Sequence, residues 1–263
     1  MKKFLILTLI LCVVAGAAGA TAYFTSREEP LVLSGSDETG SESSGTTAPT
    51  TAAPVPIEDY EYAYAGFAPV YANVDVEWNM LLVNRDYILP DDFEVELAPS
   101  ITNDPDSKSL DYRVAPHYNE MYLAAQKDGI TLTPVSGYRS VERQKNNFEN
   151  KIKTYESQGF SHTQATVLAS QIILPPGTSE HNAGLAMDIC SLEVNFEETR
   201  EFAWLCEYAS DYGFILRYPK EKQDVTNITY EPWHWRYVGV EIAKEMEKTG
   251  ECYEEYLERI GRL

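Results

Sequence analysis

The chain is short of basic residues, and this shortage excludes one class of function. It carries 21 lysine and arginine residues against 41 aspartate and glutamate residues, so its formal net charge at pH 7 is -20. Proteins that bind nucleic acids need a basic surface that neutralises the phosphates. The charge therefore argues against nucleic-acid binding, and it is typical of a soluble extracellular protein.

Cysteine is also scarce, with 4 residues in 263. Cys12 lies in an apolar run, and Leu11 before it occupies a position where a lipid-attachment sequence needs a small residue. Cys190, Cys206 and Cys252 are an odd number, so a framework of disulfides is not predicted. Cys190 and Cys206 are expected to be small buried residues. A Cys206–Cys252 disulfide stays open for a protein outside the cell.

Residues 1–26 are predicted to be a signal peptide or an N-terminal membrane anchor. Lys2 and Lys3 precede an uncharged, mostly apolar run that extends from Phe4 to about Ser26. Small residues at 15–20 offer cleavage sites, while the length of the run reaches the lower range of a membrane span. Because the two lysines favour the cytoplasmic side, an uncleaved anchor with the rest of the chain outside is preferred.

The rest of the chain divides into a stalk and a domain. Residues 27–58 consist mainly of Ser, Thr, Gly, Glu, Pro and Ala, with too little apolar surface to offset the entropy of ordering. They are predicted to form a disordered stalk. Aromatic and aliphatic residues are frequent from there on, without an internal repeat, so residues 59–263 are predicted to form one domain.

The hydrophobic pattern of the domain predicts helices and short strands in mixed order. Helices are expected at 114–128, 140–157, 161 to before 175, 195–212 and 240–260, the last as one helix or a pair. Strands are expected at 131–135, 183–190, 213–218 and 234–238. Strands and helices alternate irregularly and no Gly-rich phosphate loop occurs. The sequence therefore predicts an α+β fold, with a small, mostly antiparallel sheet flanked by helices, rather than a doubly wound sheet.

Residues 179–188 contain two side chains that are able to bind a metal ion. His181 lies in a predicted turn and Asp188 in the strand that follows. The period of two along that strand places Asp188 with Gly184 and Ala186, opposite the larger apolar residues. A turn histidine and a solvent-facing aspartate would produce the same pattern, so this pair alone does not predict a metal site.

A second segment, Glu-Pro-Trp-His-Trp, changes this interpretation because it places His234 between two tryptophans. With His181 and Asp188, it supplies two imidazole nitrogens and one carboxylate oxygen, which leaves the fourth tetrahedral position of Zn²⁺ open for a water. Glu231 is then a spare acid, placed to act on that water as a general base. The alternative is a buried, hydrogen-bonded histidine in an aromatic core.

A third segment, residues 136–144, runs from a predicted strand end into the N-terminus of a helix. Arg139 can point from there into a cleft and bind an anion or an oxyanion. Taken alone, it could equally be a surface arginine. The two other histidines, His117 and His162, lie in predicted helices among polar residues and are expected on the surface.

In this order, the three segments resemble the VanY-type D-alanyl-D-alanine carboxypeptidases, zinc peptidases of bacterial peptidoglycan. The similarity extends over residues 75–250 and includes the segment at 213–220. It implies a role for each matching residue: zinc ligands His181, Asp188 and His234, a catalytic acid/base Glu231, a polarising Arg139, and Ser179 and Gln144 as residues that help to hold the peptide end.

The resemblance implies a zinc-dependent enzyme that removes the terminal D-alanine from peptidoglycan stem peptides, outside the cytoplasm and tethered through its N-terminal segment if this is not cleaved. An L,D-carboxypeptidase or a peptidoglycan endopeptidase with the same motifs stays open. A serine penicillin-binding protein is disfavoured: Lys248-Thr249-Gly250 is present, but no serine is followed three residues later by a lysine. A non-catalytic wall-binding module is disfavoured because binding alone does not need Glu231.

Overall fold

A computed structural model of the chain describes residues 69–104 and 107–263. The predicted anchor at 1–26 and the predicted stalk at 27–58 lie outside the described residues and stay predictions. The described residues belong to one compact unit. Within them, no helix has the length and apolar character that crossing a membrane requires.

Short strands and helices follow one another along the described part of the chain. The strands are β1 (Val70–Tyr71), β2 (Tyr87–Ile88), β3 (Leu97–Pro99), β4 (Ser109–Asp111), β5 (Pro134–Ser136), β6 (Ala186–Ile189), β7 (Phe214–Leu216) and β8 (His234–Tyr237). The α-helices are α1 (Ala115–Lys127), α2 (Val141–Ser157), α3 (His162–Ser170), α4 (Arg200–Tyr208), α5 (Gln223–Thr226), α6 (Val240–Thr249) and α7 (Tyr253–Arg259). Short 3-10 helices at 78–80, 180–183, 194–198, 209–212 and 220–222 lie between them.

The central sheet has four antiparallel strands in the order β5-β6-β8-β7. Two small sheets accompany it, the parallel pair β1-β2 and the antiparallel pair β3-β4. The predicted α+β fold with a small, mostly antiparallel sheet is confirmed. The central strands β6 and β8 are adjacent, and their register pairs Asp188 with His234.

Capping side chains begin two of the predicted helices. The Ser140 hydroxyl accepts a hydrogen bond from the backbone N–H of Arg143 at the start of α2. Ser161 and Gln164 form a capping box at the start of α3, where each side chain satisfies a backbone N–H of the first turn. Gly129, with a φ of +74°, follows the last turn of α1. These three boundaries agree with the prediction.

The predicted helix at 195–212 is wrong as one continuous element. Residues 194–198 and 209–212 form 3-10 helices, and only Arg200–Tyr208 is α-helical. Thr199 is in an extended conformation, and its side chain accepts a hydrogen bond from the backbone N–H of Phe202. A residue in that conformation begins a helix and cannot lie inside one. The stronger cap therefore lies four residues beyond Asn195.

The four predicted strands are present with shorter or shifted bounds. β5 begins at Pro134, three residues later than predicted, and β6 begins at Ala186 instead of residue 183. Leu185, just before β6, and Met187 and Ile189 on it contribute to the main hydrophobic core, whereas Asp188 lies on the opposite face, as the period of two predicts. The last predicted helical segment, 240–260, is the pair α6 and α7.

Four hydrophobic clusters support the sheet and the cleft in the described part of the chain, the smallest being Leu174, Tyr218 and Ile228. The largest joins β6 and β7 to α1 and includes Tyr118 and Met121. A second packs α6 and α7 beside β7 and β8. A third lies between α2 and α3 and contains Phe148 and Ala165. The α2-α3 hairpin thus has its own small core.

The prediction that His117 and His162 both lie on the surface is wrong for one of them. His117 is half-buried, and its ring stacks on Tyr237 with a centroid distance of 4.8 Å. It lies on the face of α1 that packs against the sheet, next to the buried Tyr118. His162 is exposed, as predicted, and its Nδ1 lies 2.8 Å from Glu156 Oε1.

The cysteine predictions also need correction. Cys190, Cys206 and Cys252 are free thiols, so Cys206 and Cys252 do not form a disulfide. Cys206 is exposed and not buried, because the buried face of α4 carries its neighbours Trp204 and Leu205. Cys190 is half-buried and Cys252 is buried.

Candidate metal centre and active site

Three elements bring the predicted metal ligands together. His181 lies in the 3-10 helix at 180–183, Asp188 on β6 and His234 at the start of β8. One nitrogen or oxygen atom from each lies within 4.8 Å of the others, and all three residues are buried. Within the described residues this is the group of histidine, cysteine and acidic side chains that has the geometry to hold a metal ion.

The turn between His181 and β6 depends on a glycine. Ser179 caps the 3-10 helix and its hydroxyl accepts a hydrogen bond from the backbone N–H of His181. Gly184 then has a φ of +68°, which is in the left-handed region, and a Cβ atom there would overlap the backbone of Asp111. This tight reversal brings His181 back beside Asp188 and explains why β6 starts later than predicted.

One carboxylate oxygen faces both imidazole rings. Asp188 Oδ1 lies 3.3 Å from His181 Nε2 and 3.4 Å from His234 Nδ1. It is fully buried and has no hydrogen-bond partner within the described residues. Because a buried polar atom without a partner is costly, its position needs an explanation. Two nitrogens and one oxygen that converge on the same point are the donor set of a zinc site with one open position.

The outward-facing nitrogens of both rings have oxygen partners. His181 Nδ1 lies 2.8 Å from the carbonyl oxygen of Gly137, and His234 Nε2 lies 3.2 Å from Glu180 Oε2. A ring nitrogen that donates its proton to such an oxygen leaves the other nitrogen free for a metal ion. The contacts therefore direct His181 Nε2 and His234 Nδ1 toward Asp188, so the residues present fit a zinc ion.

The protonation states of the metal-free cluster follow from burial and from its charges. Burial opposes ionisation of Asp188, but His181 and His234 outweigh it and lower its pKa. Burial lowers the pKa of His181. It would also lower the pKa of His234, but the nearby carboxylates of Asp188 and Glu180 raise this pKa to about 9. The Asp188 carboxyl group is therefore ionised where it faces the two rings.

Glu231 lies beside the three candidate ligands. Its Oε2 is 3.5 Å from His234 Nδ1, and its backbone carbonyl accepts a hydrogen bond from the backbone N–H of His234. Burial raises the pKa of this carboxyl to about 8 in the metal-free protein. A carboxyl group with a pKa shifted toward neutrality, next to a reaction centre, is suited to exchange protons.

Arg139 points into the same cleft. Its Nη1 donates to Gln144 Oε1 at 2.7 Å, and its Nη2 donates to Ser136 Oγ at 3.1 Å and lies 3.7 Å from Asp188 Oδ2. Its Nε is buried without a hydrogen-bond partner in the described part of the chain. The guanidinium is thus held in place with donor capacity left, which suits contact with a carbonyl or carboxylate group.

The two predicted substrate-binding residues, Gln144 and Ser179, have hydrogen-bond partners within the protein. The Gln144 amide also donates to the carbonyl of Leu174, so both ends of its side chain are bonded within the protein. The Ser179 hydroxyl caps the 3-10 helix that carries His181. Both residues line the cleft, and these contacts orient Arg139 and His181.

The cleft has a volume of about 290 Å³ and is lined by both polar and apolar side chains. Arg139, Ser179 and Glu231 contribute polar groups, while Leu174, Ile228 and Trp233 form apolar wall. Tyr218 also lines it. The Tyr218 ring lies 4.9 Å from that of His234, and its hydroxyl is buried without a partner in the described residues.

Glu180 belongs to the site but was missed by the sequence analysis. It is fully buried, and its Oε1 accepts hydrogen bonds from Arg217 Nε at 2.6 Å and from Arg236 Nη1 at 2.9 Å. The two arginines lie in or beside β7 and β8, where they cannot be buried without a counter-charge. Arginines in or beside predicted strands therefore indicate that a carboxylate is buried near them, and Glu180, next to His181, is that carboxylate.

Comparison with known proteins identifies the family. A family model described as VanY, D-alanyl-D-alanine carboxypeptidase, matches residues 107–240. A D-alanyl-D-alanine carboxypeptidase of Enterococcus faecalis is 38% identical over 181 residues, which are 69% of this chain and 66% of that protein. The chain thus spans about two thirds of the length of this relative.

Solved structures agree with that assignment. The vancomycin resistance D,D-pentapeptidase VanY from a VanB-type cassette, determined in complex with Zn(II), is 37% identical with a TM-score of 0.61, covering 69% of this chain and 99% of that one. The LdcB LD-carboxypeptidase is 36% identical with a TM-score of 0.57, covering 67% and 84%. The chain therefore belongs to the VanY family of zinc-dependent D-alanyl-D-alanine carboxypeptidases.

Proposed function

We propose that this chain removes the terminal D-alanine from peptidoglycan stem peptides, as a zinc-dependent D,D-carboxypeptidase acting outside the cytoplasm. The observation that carries the proposal is the buried cluster of His181, Asp188 and His234, which opens into a cleft beside Glu231 and Arg139. The name of the Enterococcus faecalis relative supports the substrate, and the zinc complex of VanY supports the metal.

His181 Nε2, Asp188 Oδ1 and His234 Nδ1 would hold the zinc ion. When bound, zinc supplies Lewis acidity, which makes water nucleophilic at neutral pH and polarises a carbonyl group. The Gly137 carbonyl and the Glu180 carboxylate hold the two imidazole rings in the orientation that this role requires.

Glu231 and Arg139 would carry out the remaining chemistry. The Glu231 carboxylate accepts the proton of the attacking water and then donates it to the nitrogen of the leaving D-alanine. The Arg139 guanidinium donates hydrogen bonds to the oxygen on which negative charge develops. Gln144 and Ser136 fix the guanidinium before the substrate arrives, so little reorganisation is needed during the reaction.

Replacement of Arg139 by lysine should keep the zinc and lose activity. The ammonium group keeps the charge, but it lacks the planar fork that contacts Gln144, Ser136 and the cleft together. We expect kcat/KM to fall by about 10²-fold, in the range found when an oxyanion donor is removed. Steady-state kinetics with metal analysis checks this, and Arg143→Lys on the exposed side of α2 is the matched control. Unchanged kcat/KM would remove Arg139 from the mechanism.

An L,D-carboxypeptidase is the second candidate function, because the chain is 36% identical to the LdcB LD-carboxypeptidase. A peptidoglycan endopeptidase would use the same residues on an internal bond. The serine mechanism has no support in the described residues: Lys248 and Thr249 close α6, and Gly250 follows with a φ of +69° as a helix end. Retention of Glu231 beside the cluster argues against a non-catalytic wall-binding module.

Product analysis on defined stem peptides tests the proposed function. The full-length protein should contain about one zinc ion per chain and release D-alanine from a pentapeptide stem ending in D-Ala-D-Ala. A chelator should abolish this activity, whereas a β-lactam should leave it unchanged because no serine is acylated. Release from the tetrapeptide stem alone would favour the L,D-enzyme, and covalent labelling by a β-lactam would favour a serine enzyme.

The N-terminal segments would place the enzyme at its substrate. We propose that residues 1–26 hold the chain at the outer face of the membrane and that residues 27–58 let the domain reach stem peptides. The support is the sequence alone: two lysines before the apolar run, and a polar stalk after it.

A further inference from the structure

A buried ionic network lies directly behind His234. Its centre is Glu180, which is in contact with the outward nitrogen of His234 and with two arginines. Arg217 and Arg236 are both fully buried, at 0% exposure. Two buried cations beside one carboxylate are costly to desolvate, so the arrangement must have further support.

The second support for Arg217 comes from the C-terminal helix. Its Nη1 donates to Glu254 Oε2 at 2.7 Å and its Nη2 donates to Glu254 Oε1, which gives a bidentate pair on α7. Asn84 Nδ2 donates to the same carboxylate at 3.1 Å. Glu254 therefore fixes the guanidinium from the side opposite Glu180.

Arg236 is fixed in a similar way by backbone oxygens. Its Nε donates to the carbonyl of Tyr237, and its Nη2 donates to the carbonyls of Asn79 and Leu81. With all these donors engaged, both arginines present one N–H each to Glu180 Oε1. The other oxygen, Oε2, is left to face His234.

We infer that Glu180 is a positioning residue, held by Arg217 and Glu254, which keeps the proton of the His234 ring on Nε2 and leaves Nδ1 free for the metal ion. This inference rests on the proposed zinc site. It extends that site to α7, because the carboxylate of Glu254 controls the orientation of Arg217 and thereby that of Glu180.

The geometry determines what happens when Glu180 becomes glutamine. Both arginines only donate, so the amide oxygen must take the place of Oε1 and accept from them. The amide NH₂ then faces His234 Nε2 and requires an acceptor there. The ring proton is driven to Nδ1, the atom that faces Asp188. A metal ion would have to displace that proton or break the hydrogen bond.

Glu180→Gln should therefore raise the zinc dissociation constant of the full-length protein by about 10- to 100-fold, measured by competition with a chelator. The matched control is Glu255→Gln, which removes the charge of a carboxylate on α7 that is paired with Lys222. This control should bind zinc like the unmodified protein. Zinc affinity of Glu180→Gln equal to that of the control would overturn the inference.

A spectroscopic measurement separates positioning from general loss of structure. The chain has only 4 histidines, so their ring nitrogens can be resolved by ¹H–¹⁵N NMR. In the zinc-loaded protein, His234 Nε2 should carry a slowly exchanging proton, and this signal should be shifted or lost in Glu180→Gln alone. A His234 signal that is the same in both proteins contradicts the inference.

Glu254→Gln keeps the test decisive if Glu180→Gln does not fold. Its amide keeps only one accepting oxygen and turns an NH₂ group toward the other guanidinium nitrogen, so the bidentate pair with Arg217 is lost and zinc affinity should fall, by less than in Glu180→Gln. Glu255→Gln is the control, since Glu255 lies on the same helix and pairs with Lys222. Equal zinc affinity in Glu254→Gln and Glu255→Gln overturns the inference. Absence of zinc from the unmodified protein would instead refute the proposed function.

Discussion

Glu231→Gln should lower kcat on a stem peptide ending in D-Ala-D-Ala by about 10²- to 10⁴-fold, with the zinc content unchanged. Glutamine has the size of glutamate and keeps one accepting oxygen, but it cannot take a proton from water or pass one to the leaving nitrogen. Because Glu231 lies 3.5 Å from His234 and outside the three-residue cluster, its loss should not empty the metal site.

The control for this substitution is Glu221→Gln, at an exposed glutamate ten residues earlier in the chain. Single-turnover and steady-state kinetics should show a lower kcat and little change in KM for Glu231→Gln, and no change in either for the control. If Glu231→Gln hydrolyses the peptide at close to the unmodified rate, Glu231 is not the base. Loss of zinc in this variant would assign it a structural role at the metal instead.

The helices that were predicted well are those whose ends carry local signals. Ser140, the Ser161–Gln164 box and Gly129 act on backbone groups of their own turn, so a reader of the sequence sees both partners of each interaction. The prediction of one helix at 195–212 was wrong because the residue that begins the α-helix does not stand out in the sequence. Thr199 lay inside an apolar-periodic stretch, and only the extended backbone in the structure identifies it as a cap.

The sequence allows candidate site residues to be grouped where they lie close together along the chain. Asp188 follows His181 by seven residues, and the reversal at Gly184 brings the two together. His234 was joined to them because it completes the donor set of a zinc site, and the structure provides the physical basis in the register of β6 and β8. Chain separations as large as these carry no periodic signal, so composition and pattern alone do not fix such a register.

The buried ionic network behind His234 could not be predicted from the sequence. Arg217 and Glu180 are 37 residues apart, as are Arg217 and Glu254, and each looks like an ordinary surface charge when its neighbours are read alone. Burial changes their meaning, because a buried arginine requires a carboxylate. Arg217 follows a strand of only three residues, which is too short for its pattern to predict that the arginine is buried. The exposure of Cys206 was not predictable from its neighbours either.

Removal of one candidate ligand should have the second large effect. His181→Ala is expected to weaken zinc binding by at least about 10²-fold: zinc sites in small peptides bind with roughly 10–16 kcal/mol, and one of three protein ligands carries about a third of this. Activity at limiting zinc should fall in parallel, and metal analysis after dialysis should find the variant largely empty.

His162→Ala is the matched control, because it removes an imidazole that is exposed and paired with Glu156, far from β6 and β8 in the chain. It should keep zinc and activity. The comparison separates coordination from packing, since His181 is also a buried ring against His234 and its loss leaves a cavity. Excess zinc should restore part of the activity if coordination is the cause, whereas a cavity would lower the melting temperature and remain insensitive to added metal. Full zinc occupancy of His181→Ala would contradict the assignment of His181 as a ligand and, with it, the three-residue centre on which the proposed chemistry depends.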